Sequence, residues 1–175
     1  MLERYLPSKR DTWTWHLADL KDVVEIVNMS ELMFQQEIES VFTPNRRMLT
    51  KYLAQAIIAQ TYNPLEKQII IARDNTTEAL VAWAWLGRGG YTMYAPEEFA
   101  EAHFAHIDLN FSTRNRVTIM AQILQQWRMW CQSAGIPVLV STSIREDQAG
   151  FMHLHQQAGF VIRGSFAYLK ITYEP

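Results

Sequence analysis

From Ala105 to Phe111 apolar and polar residues alternate without interruption. Ala105, Ile107, Leu109 and Phe111 fall on one side of an extended chain, and His106, Asp108 and Asn110 fall on the other. The period then changes to that of a helix: Met120, Ile123, Leu124, Trp127 and Cys131 form one stripe, closed by Gly135 and Pro137. Pro137–Ser143 is again strand-like. A strand, a long helix and a strand in this order imply two parallel neighbours joined by a right-handed crossover.

The preceding chain adds antiparallel grammar. Asp11–His16 reads as a short strand. Asp19 is expected as an N-cap with Asp22 in the first turn, and Leu20, Val23, Val24, Val27 and Phe34 follow at helical spacing. Thr43-Pro44 is expected to start a second helix with proline at N1, which Asn63-Pro64 stops. Gln68–Ala72 and Glu78–Leu86, around a turn at Asp74-Asn75, form a hairpin pattern. Gly87-Arg88-Gly89-Gly90 reads as a break that opens an excursion through Pro96, Glu97 and Glu98, either a mobile substrate loop or a bent strand end. After Pro137–Ser143, Asp147 is expected to start a short helix with apolar Phe151, Leu154 and Ala158. Gly159 ends it, and Phe160–Ile171 returns as a strand or hairpin. No repeat or linker-like stretch divides the chain, so residues 1–175 are expected to form one α/β domain with a mixed sheet.

Six tryptophans fall into three close pairs. Trp13/Trp15 and Trp83/Trp85 are two apart, which puts both rings on one face of a strand. Trp127/Trp130 are three apart, which suits one face of a helix. Core and edge packing accounts for all three pairs.

Composition excludes several classes. Apolar residues make up 49% of the 175 residues and charged residues 19%, enough for a core and too apolar for a disordered chain. The longest apolar stretch, Ala79–Leu86, is too short to span a bilayer, and Glu3 and Arg4 interrupt any signal-peptide core. A cytoplasmic protein with no membrane partner is expected. The single cysteine, Cys131, excludes an internal disulfide and a cysteine-rich zinc site, and no metal is expected. His153 and His155, two apart on a helix, point to different faces and do not make a metal pair. With a net charge of -2 and no basic tract, no nucleic-acid partner is expected.

The segment Gln148-Ala149-Gly150-Phe151-Met152-His153-Leu154-His155-Gln156-Gln157-Ala158-Gly159-Phe160 resembles the late helix of the GNAT superfamily of acyl-CoA N-acyltransferases, approximately Asn-x-x-Ala-x-x-Leu-Tyr-x-x-x-Gly-Phe. Leu154, Gly159 and Phe160 match. Gln148 stands where asparagine is usual, Phe151 where alanine is usual, and His155 where tyrosine is usual. The order of elements along the whole chain is similar to that superfamily as well. The resemblance implies a splayed mixed sheet of six or seven strands with about four helices, and acetyl-CoA as co-substrate.

Members of that superfamily usually present Arg/Gln-x-x-Gly-x-Gly/Ala between the parallel strand and the long helix, where backbone N–H groups and the helix N-terminus hold the CoA pyrophosphate. Here the stretch is Ser112-Thr113-Arg114-Asn115-Arg116-Val117-Thr118-Ile119. Arg114 fits the first position, while Val117 and Ile119 replace both glycines. An alternative register runs from Arg116 to Ala121. β-Branched side chains resist positive φ and crowd a phosphate, and Arg114 and Arg116 can compensate with bidentate contacts. Two arginines at a helix N-terminus oppose the dipole unless an anion is near. The resemblance thus implies cofactor contacts at Arg114, Asn115, Arg116, Val117, Thr118, Ile119 and Gln148. It also implies backbone pairing of pantetheine with Leu109, Asn110 and Phe111.

Three polar residues on one face of a central strand need partners or water. Either the face of His106, Asp108 and Asn110 is an amine groove, with Asp108 or His106 as general base, or it lies at an open face and is solvated. His155, at the tyrosine position, would protonate the departing CoA thiolate; a helix histidine satisfied by a neighbour is the alternative. Ser141, Thr142 and Ser143 end the partner strand and can line a channel, and no spacing makes them nucleophiles.

The leading function is acyl transfer from acetyl-CoA to a primary amine on a small molecule or peptide, with a homodimer left open. Its rival is a GNAT-shaped binding or structural subunit without catalysis, suggested by the missing glycines and tyrosine. An unrelated α+β enzyme is the third alternative. An open slot between the two parallel strands, as against one filled by Val117, Ile119 and aromatic rings, separates the first two.

Overall fold

Strands made in succession stay neighbours in space. The structure is a computed structural model that describes residues 11–37, 43–142 and 149–163. Five strands are described: β1 (Trp13–Leu17), β2 (Lys67–Asp74), β3 (Leu80–Thr92), β4 (Ala95–Ile107) and β5 (Val138–Val140). They lie in the sheet in that order. β1 to β4 pair antiparallel, and β5 runs parallel to β4. The helices are α1 (Val23–Glu37), α2 (Arg46–Tyr62), α3 (Thr113–Ala134) and α4 (Ala149–Gln157). The strand–helix–strand unit is therefore β4–α3–β5. Six or seven strands were the expectation; residues 164–171 of the expected return strand, and Asp147 and Gln148 before α4, lie outside the described residues.

Local chemistry sets the element ends. Asp19 forms a capping box with Asp22, whose carboxylate accepts from the Asp19 N–H at 2.8 Å. It caps a 3-10 turn, Leu20–Asp22, that runs on into α1. The start of α2 differs from expectation: Asn45 is the N-cap, accepting from the Met48 N–H at 3.0 Å, so Thr43-Pro44 stands outside the helix. Asparagine is the stronger N-cap of the two candidates, Asn45 and Thr43, and it sets the start at Arg46. Asp74 makes the expected turn, accepting from the N–H groups of Thr76 and Thr77 at 2.9 Å each.

Gly87–Gly90 does not break the strand. β3 continues through it to Thr92, and the segment with Pro96, Glu97 and Glu98 is the start of β4. The ladder slips at Gly87/Gly90 and again at Gly90/Thr92. Gly89 takes φ +96, and a Cβ on Gly90 would lie 2.2 Å from the Phe99 ring. Across the slip, the Arg88 guanidinium donates to both Glu98 carboxylate oxygens, at 2.8 and 2.6 Å, and the Gly89 N–H donates to the same carboxylate at 2.9 Å. Glycines here permit a bulge that those contacts hold.

The strand expected over Ala105–Phe111 also ends earlier, at Ile107. The Asp108 carboxylate accepts from the Asn110 N–H at 2.9 Å, and its carbonyl accepts from the Phe111 N–H at 3.2 Å. Asp and Asn favour such turns, and this one redirects the chain into α3. The alternation of polar residues there is half strand and half turn.

Each sheet face carries its own core. One joins Ile70, Ala72, Ala82, Ala84 and Leu86 to α3 and to Leu154 of α4. The other joins Ile69, Ile71 and Trp83 to α1 and α2 through Ile26, Val27, Leu53 and Ile57. The tryptophan pairs divide as their spacing predicts. Trp13 and Trp15 both donate their indole N–H to Gln122 of α3, at 2.9 and 2.7 Å. Trp83 and Trp85 both stack on Phe104, with ring centroids at 5.1 and 5.9 Å. Trp127 and Trp130 share the buried stripe of α3.

Candidate active site

The parallel pair β4/β5 is short. Phe99, Ala100 and Glu101 pair with Val138, Leu139 and Val140, and the ladder stops. β4 goes on from Ala102 to Ile107 with no strand on that edge among the described residues. His103 marks the branch: Trp85 pairs with Phe104 and Leu86 with Ala102, so His103 is the extra residue of a bulge. Beyond it the Asp108 N–H donates to the Val81 carbonyl at 2.9 Å. By the alternation of an antiparallel ladder, Ala105 and Ile107 then turn their N–H and C=O groups toward the unpaired edge.

The available backbone edge thus lies at Ala105 and Ile107. Leu109, Asn110 and Phe111, expected to offer it, lie in the turn after β4, where the Asn110 and Phe111 N–H groups are already bonded.

His106, Asp108 and Asn110 do not share one surface. His106 is buried, with its ring edge-on to Trp83 at 5.5 Å and to Phe104 at 5.7 Å. Asp108 is half-buried, and Asn110 is exposed. Only the first two keep a strand-like relation at the end of β4.

Ser112–Ile119 is not a loop. Ser112 is the N-cap of α3, with its hydroxyl accepting from the Asn115 N–H at 3.3 Å, and helix begins at Thr113. The Arg116 N–H bonds the Ser112 carbonyl, and the Thr118 hydroxyl donates to the Arg114 carbonyl. That leaves the N–H groups of Thr113 and Arg114 at the helix mouth. Val117 is exposed, whereas Ile119 is wholly buried in the core and presents no surface to a ligand. Arg114 is exposed, and the Arg116 guanidinium lies 3.4 Å from the Thr113 hydroxyl. Among the described residues neither arginine has a carboxylate partner, and the Nε of Arg116 is buried without a hydrogen bond.

His155 is 1% exposed and lies between the rings of Phe151 and Phe160, with centroids at 4.2 and 4.8 Å. Its Nδ1 is 2.8 Å from the Phe151 carbonyl and its Nε2 is 2.9 Å from the Ser141 hydroxyl. A carbonyl only accepts, so the proton of a neutral ring sits on Nδ1, and Nε2 accepts from Ser141. Sequence reasoning named both residues but not their pairing, because they belong to different elements and no spacing connects them. His153 stands apart on α4, its Nε2 2.8 Å from the Gln157 amide.

Burial pushes the His155 imidazole below its ordinary value of 6.5, against a smaller opposing effect of the Phe151 carbonyl. The unfolded chain therefore binds a proton that the folded one refuses. Stability is full above pH 6.5 and falls as pH drops below it toward the lowered folded value. Denaturant midpoints measured down the pH scale should show that decline, and His155→Phe should make it shallower. His103, also lowered by desolvation, acts in the same direction and keeps the slope from vanishing.

No family model and no curated protein matches this sequence. Solved structures do. An aminoglycoside antibiotic 6'-N-acetyltransferase from Acinetobacter baumannii superposes with a TM-score of 0.65 at 13% identity, over 93% of this chain and 99% of that one. Glucosamine-6-phosphate N-acetyltransferase from Arabidopsis thaliana gives 0.64 at 10% identity, over 93% and 100%. A predicted acetyltransferase from Clostridium acetobutylicum, solved with acetyl-CoA, gives 0.68 at 15% identity, over 90% and 96%.

The chain has the GNAT fold.

At these identities the likeness carries the fold, and function has to be argued from the site. Within the GNAT fold, the late helix brings His155 to the end of β5, and the crossover helix brings Arg114 and Arg116 to the end of β4. Among the described residues no helix is long and apolar enough to cross a membrane.

Proposed function

We propose that this chain is an N-acyltransferase that moves an acetyl group from acetyl-CoA to a primary amine. The sheet edge supports this reading: the β4/β5 ladder runs through three residue pairs and stops, and beyond it β4 has no strand on that edge among the described residues. A pantetheine amide arm is the kind of group such an edge recognises, through the N–H and C=O of Ala105 and Ile107. At the adjoining mouth of α3, the N–H groups of Thr113 and Arg114 and the guanidinium groups of Arg114 and Arg116 would hold the pyrophosphate. A buried Arg116 Nε with no partner fits an anion there. Val117 would wall the site where glycine is usual, so the arginines replace part of a backbone cradle. His106 and Asp108, at the end of β4, would take the proton of the incoming amine.

The three neighbours are an aminoglycoside acetyltransferase, a glucosamine-6-phosphate acetyltransferase and a predicted acetyltransferase solved with acetyl-CoA. They support the amine acceptor and the co-substrate as classes.

Acetyl-CoA should raise the melting temperature. A ligand at a hundredfold excess over its Kd stabilises by about 2.7 kcal/mol. Arg114→Ala with Arg116→Ala should remove most of that shift while leaving the unliganded melting temperature nearly unchanged. An absent shift at millimolar acetyl-CoA would overturn the reading in favour of a non-catalytic subunit.

A further inference from the structure

A serine hydroxyl, a neutral imidazole and a fixed carbonyl form a hydrogen-bonded chain at the end of the β4/β5 ladder. Ser141 is the first residue after β5, whose last ladder pair is Val140 with Glu101. It is half-buried, whereas the imidazole behind it has almost no exposed surface. The Ser141 O–H donates to His155 Nε2 at 2.9 Å, and His155 Nδ1–H donates to the Phe151 carbonyl at 2.8 Å. Phe151 and Phe160 pack the ring from two sides and hold its orientation. Nucleophilic catalysis by serine needs a base within hydrogen-bond reach and a third group that fixes the base's tautomer. All three elements are present, with a backbone carbonyl in the orienting position.

Resting on the acyltransferase reading, we infer that Ser141 and His155 are a nucleophile–base pair through which the acetyl group passes as a serine ester. Ser141 Oγ attacks the thioester carbonyl carbon, and its proton moves to His155 Nε2. The C–S bond breaks, and the thiolate leaves with that proton as CoA thiol. The amine nitrogen, relieved of its ammonium proton by His106 and Asp108, then attacks the ester carbonyl and gives its next proton to Nε2. The C–O bond breaks, and Ser141 Oγ takes that proton back, so the enzyme ends as it began. While the ring is charged, the Phe151 carbonyl accepts from it. The burial that disfavours the charged ring also keeps Nε2 unprotonated at rest, as a base requires.

His155 thus serves as base first and as acid second. Its geometry does not suit a role as resting-state acid, because its one proton is directed at Phe151. This accounts for the absence of the tyrosine usual at that position: a phenol there could donate to the thiolate but could not readily take a serine proton at neutral pH.

The test uses the full chain with acetyl-CoA alone, then with ethanolamine as acceptor, counted above the protein-free rate, and treats the acylated protein with hydroxylamine only after acetyl-CoA has been removed. Intact-mass and peptide mass spectrometry should find one acetyl group on Ser141, and thiol release should show a burst close to one equivalent of protein. Hydroxylamine should discharge the ester. Ser141→Ala should abolish both signals while keeping the acetyl-CoA melting shift. His155→Gln should slow acylation by about a hundredfold or more, a loss expected for a missing general base. Release of CoA to an amine with no acetyl-serine, or at an unchanged rate in Ser141→Ala, would overturn the ester and leave the acyltransferase standing. Acetyl found on another residue, or acetyl-CoA bound with no thiol released, would overturn it equally. An absent melting shift in the unmodified chain would remove both.

Discussion

Trp83→Ala should lower stability by about 3–5 kcal/mol, the range for emptying a buried aromatic site. Trp83 has no exposed surface and sits mid-sheet, with Ile71 beside it on β2 and His106 beside it on β4. It shares one buried cluster with Ile26, Val27, Leu53 and Ile57 of the two helices above, and its ring stacks on Phe104. Neighbours held by three strands and two helices cannot collapse into the space, so the cavity cost adds to the transfer cost. Trp83→Phe should cost less than the alanine variant, since a phenyl ring refills most of the indole's space. It also removes an indole N–H that is buried without a hydrogen bond among the described residues. Denaturant unfolding reads both variants. A loss below about 2 kcal/mol for the alanine variant would mean that the α1/α2 layer repacks freely.

Gln122→Leu should cost about 2–4 kcal/mol, because each buried polar group left without a partner costs about 1–3 kcal/mol. Gln122 is 1% exposed on the core face of α3. Its carbonyl oxygen accepts from the indoles of both Trp13 and Trp15, and its amide N–H donates to the Asp11 carboxylate at 2.8 Å. One side chain thereby fastens β1, the edge strand, to the crossover helix. The leucine variant orphans two indole N–H groups at once. Adding Trp13→Phe and Trp15→Phe to it should recover part of the loss, since removing both sides of a buried hydrogen bond is nearly neutral. If the triple variant is no more stable than Gln122→Leu by denaturant midpoint, the indole bonds are not what the glutamine contributes.

These positions show where spacing is informative and where it is silent. The tryptophan pairs could be assigned to faces because two-residue and three-residue offsets are properties of one strand or one helix. The α3 stripe, the hairpin turn at Asp74 and the ending of α4 at Gly159 (φ +94) are equally local. The end of β4 was not legible, because Asp108 and Asn110 suit the polar face of a strand and the turn they actually make. At Gly87–Gly90 a loop and a bent strand end stay open in the sequence, because glycine-rich sequence suits either. Only the Arg88–Glu98 pair across the ladder decides for the bulge. Gln122 gave no signal at all: a glutamine beside an apolar stripe looks like a boundary residue until two indoles reach it.

The kind of fold was legible along the chain alone. Hydrophobic period, caps and turn residues act within a few positions of one another, and together they called for a mixed sheet with a crossover helix between parallel strands. Which side chains meet at the candidate site was set by packing between distant elements. The end of the β4/β5 ladder depends on pairing between residues almost forty positions apart. The Ser141–His155 contact depends on how α4 returns against the end of β5. Proton transfer needs atoms brought to within about 3 Å, and no periodicity along a chain specifies which side chains from separate elements will meet at that distance.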